Sequence, residues 1–135
     1  DGLWINAGRD NMVGIPGTGN RITANGSNGI RVAGDTQGSV IVANQITASG
    51  GSGLQLTAAQ NLAVGETPLD ELFARLGVFW DGTSRTTANT ILTSLAYGLL
   101  ASGDCSGTSV IRNTILENAL GNVDLTAATG ITYVP

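Results

Sequence analysis

The six-residue phrase NRITAN at residues 20–25 returns as NQITAS at 44–49, NTILTS at 89–94 and NTILEN at 113–118. Each copy begins with Asn and carries Ile two places later. A second phrase runs out of phase with it: GLWINA from Gly2, GIRVAG from Gly29, GLQLTA from Gly53, GLLASG from Gly98 and NVDLTA from Asn122. Its intervals are 27, 24, 45 and 24, and those of the Asn phrase are 24, 45 and 24. Both share a period of 24 residues. The first interval carries three extra residues, placed in the IPGTG turn at 15–19, and the long one carries 21. A fixed period in this range marks a solenoid, in which each repeat buries its apolar face only by stacking on its neighbours.

Short-range alternation decides the kind of solenoid. In the second phrase the pairs Leu3/Ile5, Ile30/Val32, Leu54/Leu56, Leu99/Ala101 and Val123/Leu125 recur with a period of two, which belongs to a strand with one buried face. Gly, Asn, Asp and Ser separate such segments, and a third, less regular strand is expected at SVIVA 39–43, NLAVG 61–65, TSVIR 108–112 and NMVG 11–14. A 24-residue unit of two or three short strands is one coil of a parallel β-helix. Within the Asn phrase, residues two apart face the same way. Stacked at roughly 4.8 Å per coil, Asn20, Asn44, Asn89 and Asn113 form a ladder of side-chain amides that satisfy one another. Beside it, Ile22, Ile46, Ile91 and Ile115 form an aliphatic stack.

These phrases and their spacing resemble the right-handed parallel β-helix family that includes pectate lyases, polysaccharide epimerases and phage tailspikes. The resemblance implies an all-β, right-handed solenoid of about five 24-residue coils forming a single domain over residues 1–135. It specifies fold strongly and function poorly. It also implies a polysaccharide ligand, held by outward side chains of one sheet and the adjoining turns. The family's catalytic patterns are largely missing. A chain with no His cannot carry the Tyr, Asp and His constellation of alginate epimerases, and no Asp/Glu cluster for calcium lies beside Arg31 or Arg112. The polygalacturonase motifs GHG and RIK have no counterpart, and GGSGLQL at 50–56 lacks the Asp of the calcium-binding nonapeptide.

Composition narrows the partners further. All six basic residues are Arg and are scattered, and the net charge is −4, so nothing offers the basic footprint that nucleic acid demands. No apolar run approaches the ~18 residues that cross a bilayer, and no membrane insertion is expected. Cys105 is the only cysteine, which excludes an internal disulfide and a cysteine-based zinc site; its setting in GDCSGT reads as an inert thiol in a turn. No cofactor is expected. The chain opens at Asp1 directly in patterned sequence, which reads as a fragment or a processed product.

The 21 extra residues predict a helical insertion at about 66–86. Thr67 suits the N-cap, Pro68 the first helical position, Asp70 and Glu71 the positive helix end, and Gly77 a C-terminal stop. Residues 68–76 then place Leu69, Leu72, Phe73 and Leu76 on one stripe, which packs on the solenoid's flank with Val78 and Phe79 or meets another subunit.

Two candidate sites emerge. The outward positions of the second phrase are Trp4, Arg31, Gln55, Leu100 and Asp124. A Trp face stacks on sugar rings, and Arg or Gln bonds to hydroxyls and carboxylates, so Trp4, Arg31 and Gln55 form a candidate ligand-binding row. The same row also reads as an ordinary mixed surface. Asp35 and Asp104 fall six residues after their coil's first Gly, in equivalent turns two coils, or roughly 9–10 Å, apart. That is near the ~6.5–9.5 Å of an inverting glycosidase pair, and equally each Asp suits a turn through its own backbone hydrogen bonds.

The first functional expectation is a virion appendage, like part of a tailspike, that binds a bacterial surface polysaccharide as a homotrimer; Leu100, Phe73, Phe79 and Trp80 suit subunit contacts. The alternatives are a piece of a secreted polysaccharide lyase or hydrolase using Asp35 and Asp104, and a structural stalk without ligand. Each implies a virion or extracellular setting.

Overall fold

The computed structural model describes residues 1–75 and 86–135. Three columns of parallel strands stack along one axis as a β-solenoid of about five turns. The first column is β1 (Leu3–Asn6), the leading part of β4 (Ile30–Ile41), the leading part of β6 (Leu54–Gly65), β8 (Tyr97–Asp104) and β11 (Gly121–Thr129). The second is β2 (Met12–Val13), the trailing parts of β4 and β6, β9 (Ser109–Ile111) and β12 (Thr132–Val134). The third is β3 (Arg21–Thr23), β5 (Gln45–Thr47), β7 (Thr90–Leu92) and β10 (Thr114–Leu116). The expected third strand is present in every coil, but in β4 and β6 it continues from the first without a break. The chain turns there through register irregularities rather than a gap.

Register follows the repeat. Ile30 pairs with Leu54, Leu54 with Leu99 and Val123 with Leu99, so like stacks on like. Ile22, Ile46, Ile91 and Ile115 form one continuous stack. Ile46 and Ile91 are fully enclosed, together with Ile30, Val32, Leu54, Leu56 and Leu99. The glycines that open the second phrase belong to this packing. A Cβ on Gly29, Gly53 or Gly98 would stand 2.3, 2.2 or 2.2 Å from the Cγ2 of Ile46, Ile91 or Ile115. The isoleucine column thus occupies the space that side chains at these positions would need.

The asparagine ladder is built as the spacing requires. Asn20 Nδ2 donates to Asn44 Oδ1 (3.0 Å), Asn44 Nδ2 to Asn89 Oδ1 (3.0 Å) and Asn89 Nδ2 to Asn113 Oδ1 (2.8 Å). Each lower Oδ1 also accepts the backbone N–H of the rung above, at 3.1, 2.9 and 2.9 Å. The amide nitrogens further tie down carbonyls of the second column, Val13 and Val42 for Asn44 and Ile41 for Asn89. Four residues after each rung the chain turns on a left-handed residue: Ala24, Ala48, Thr93 and Glu117 have φ between 53° and 58°. None is glycine, and such a conformation costs about 1 kcal/mol for a residue bearing a Cβ.

Between β6 and β7, α1 (Leu69–Arg75) covers the outer face of the second column. Leu72 is fully buried against Val40 and Val42, with Met12 and Ala63 at the margin. This is the flank packing rather than a subunit contact for Leu72. Asp70 and Glu71 lie in the first turn as expected. The Thr67 hydroxyl donates to the Gly65 carbonyl and its N–H to Thr87 Oγ1 (both 3.2 Å), which ties the approach to the helix to the coil. Leu76, Gly77, Val78, Phe79 and Trp80 lie outside the described residues.

Candidate functional site

The first column presents its outward side chains as one row along the axis. Trp4 pairs in register with Arg31, Arg31 with Gln55, Gln55 with Leu100 and Leu100 with Asp124. Four steps of a parallel ladder span roughly 19 Å. Strand alternation puts these residues outward because their neighbours Leu3, Ile5, Ile30, Val32, Leu54 and Leu56 pack inward.

The row is partly pre-organised. Trp4 is 57% exposed, and the Arg31 guanidinium carbon stands 5.2 Å from the centre of its ring, within range of a cation–π contact. Arg31 Nε is enclosed without a hydrogen-bond partner, and among the described residues no carboxylate pairs with this guanidinium. Gln55 is held from the side: Asn28 Nδ2 donates to Gln55 Oε1 (2.8 Å) and to Asp1 Oδ1 (3.0 Å), while Asn28 Oδ1 accepts the Ser52 N–H (2.9 Å). At the other end, Asp124 Oδ1 accepts the Thr126 N–H (3.0 Å) and hydroxyl (2.7 Å). These bonds, with a smaller share from Tyr97, hold its carboxyl below the usual value. The row therefore runs from an aromatic and cationic end to an anionic end. Asn28 was not singled out from the sequence. The only available signal was its place immediately before a repeat glycine.

Asp35 and Asp104 share one corner of the solenoid, with coil 3 between them. Asn61 Nδ2 donates to Asp35 Oδ1 (3.2 Å), and Gln60 Nε2 to Asp104 Oδ2 (2.7 Å). Asp104 Oδ1 also accepts the Ser106 hydroxyl and the Ser106 N–H, the latter at 3.0 Å, closing the turn. The Ser106 hydroxyl and N–H, aided by Gln60, hold the Asp104 carboxyl below its ordinary value. A general acid needs the opposite shift. Both carboxylates are exposed on a convex corner.

Cys105 is fully buried, and that burial pushes its thiol up, away from thiolate chemistry. Among the described residues no three His, Cys, Asp or Glu side chains come together to hold a metal ion, and no helix is long and apolar enough to cross a membrane. An open depression of about 300 Å³ at the coil 1 end is lined by Met12, Gly14, Ile15, Thr18 and Asn20, and its walls carry no titratable group. No protein-family model, curated protein or solved structure matches the chain. Its architecture is that of a β-solenoid.

Proposed function

We propose that this protein is a non-catalytic polysaccharide-binding β-solenoid, a receptor-binding element of a virion appendage that works as a homotrimer on a bacterial surface glycan. The observation that carries the reading is the Trp4, Arg31 and Gln55 row, with an exposed indole, a guanidinium laid over it and an amide clamped by Asn28. An indole face suits the apolar face of a sugar ring. A guanidinium that no carboxylate among the described residues engages suits acidic groups on the same glycan. Holding these groups before binding lowers the ordering cost of association. Homotrimerisation is supported by apolar side chains left outside the core, Leu95 (68% exposed), Leu116 (50%) and Leu120 (66%).

A lyase or hydrolase centred on Asp35 and Asp104 has less support, because amides of coil 3 engage both carboxylates and Asp104 is stabilised in its ionised form. The test is binding to a panel of neutral and acidic bacterial glycans, with light scattering for assembly. Trp4→Ala and Arg31→Ala should each weaken glycan binding at least about tenfold, the loss of one anchoring contact. A panel without any binder would overturn the proposal and leave a structural stalk, and a Trp4→Ala variant that binds as well as the parent would overturn the row as the binding site. A monomer that binds glycan would remove the trimer alone.

A further inference from the structure

The turn leading from β3 to β4 contains two Asn-Gly pairs, Asn25-Gly26 and Asn28-Gly29. Asn-Gly pairs are chemically labile because glycine leaves its nitrogen unshielded and its backbone free to rotate. The structure treats the two pairs oppositely. The Asn28 amide is bonded through Nδ2 to Asp1 and Gln55 and through Oδ1 to the Ser52 N–H. The Gly29 N–H donates to the Ser52 carbonyl at 3.0 Å, inside the stacked ladder. By contrast, Asn25 Nδ2 is buried with no hydrogen bond to hold it, and the Gly26 N–H donates to no group among the described residues. Gly26 is exposed, and a Cβ placed on it would meet nothing within 4 Å.

We infer that Asn25 is a site of selective self-modification, deamidating through a cyclic imide while Asn28 is protected by the fold. The Gly26 nitrogen, losing its proton, attacks the Asn25 side-chain carbonyl carbon; the new C–N bond closes a succinimide, and the Cγ–Nδ2 bond breaks to release ammonia, which carries off that proton. Water then opens either imide bond, leaving an aspartyl or an isoaspartyl residue at position 25. The product is one charge more negative than the −4 of the unmodified chain. Its consequence is local. Position 25 leads directly into the turn that carries Asn28, and Asn28 clamps Gln55. The isoaspartyl form adds a backbone methylene ahead of that clamp, so the reaction alters the outer row as the molecule ages. The inference does not depend on what the row binds.

The folded protein is incubated in mildly alkaline buffer and digested briefly with trypsin, which cuts after Arg21 and Arg31 and releases residues 22–31 with both pairs in one peptide. Fragment masses then locate the converted residue. Asn25 should convert, and Asn28 should do so at least about tenfold more slowly, because exposing the Gly29 N–H requires opening the coil. In denaturant the two rates should become similar. Gly26→Ala, which fits the open space, should suppress conversion at Asn25 and leave the unfolding midpoint unchanged. Equal rates in the folded protein, no conversion at Asn25, or a Gly26→Ala variant that converts at the parental rate would each overturn the inference.

Discussion

Replacing Asn89 with Leu tests the ladder at its most enclosed rung. Asn89 Oδ1 accepts the buried Asn44 N–H at 2.9 Å, for which the described residues offer no other acceptor, and also the Asn44 amide. Its Nδ2 serves the Ile41 carbonyl and Asn113. Leucine is close in size, so the chief losses are one orphaned interior N–H, at about 1–3 kcal/mol, and the amide bonds on both sides, at about 1 kcal/mol each. Burying extra apolar surface returns part of this. The net loss is about 2–4 kcal/mol. Asn44→Leu should cost about 1–3 kcal/mol, since the groups it strands on coil 1 lie nearer the exposed end. Asn20→Leu should cost less than about 1 kcal/mol, because no rung above it donates to its oxygen. Gln45→Leu, on the exposed face of the same strand, should stay within about 0.5 kcal/mol. Urea unfolding followed by the strand signal in circular dichroism gives the four values under one condition. A flat series, or Gln45→Leu as costly as Asn89→Leu, would refute the account of the column as a mutually satisfied interior.

Other perturbations probe other parts of the fold. Gly53→Ala places a Cβ 2.2 Å from Ile91 and should lower stability by several kcal/mol by overpacking, or prevent folding, as read by expression and thermal melting. Asn25, Ser49, Ser94 and Asn118 occupy a second polar column in which the Ser94 N–H already donates to Asn118 Oδ1 (2.9 Å), while the hydroxyls of Ser49 and Ser94 lack partners. Ser49→Asn with Ser94→Asn should complete that column and raise stability by roughly 1 kcal/mol per rung. At the corner residue Ala24, with φ 56°, glycine should be neutral or slightly stabilising, whereas Ala24→Val should destabilise by about 1–2 kcal/mol. Because Asp104 titrates below its ordinary value, its contribution is present above the unfolded-state value and is lost as pH falls through the lower folded one. Ser106→Ala removes the leading cause, so the carboxyl titration followed by NMR should move upward.

Much of the architecture was legible because stacking forces each coil to repeat the demands of its neighbours. Asn44 and Ile46 could be assigned inward from their spacing, and Trp4, Arg31 and Gln55 outward from strand alternation; all five take those places. The left-handed corners at Ala24, Ala48, Thr93 and Glu117 escaped notice because glycine is the usual signal and none stands there. The role of Gly29, Gly53 and Gly98 was hidden for a related reason. Their necessity comes from isoleucines 17, 38 and 17 residues later in the chain, a tertiary demand rather than a turn preference. The Asn28 clamp on Gln55 joins residues 27 apart and left no local trace.

The rungs of the asparagine column all point the same way, each nitrogen toward the oxygen of the coil that follows. Their dipoles therefore add head to tail, and a chain so wired can change length only in whole windings. Duplicating residues 20–43 would splice a fresh winding into the file with its orientation intact. A single residue added between Asn44 and Ile46 would turn one of them to the outside and cut the file in two.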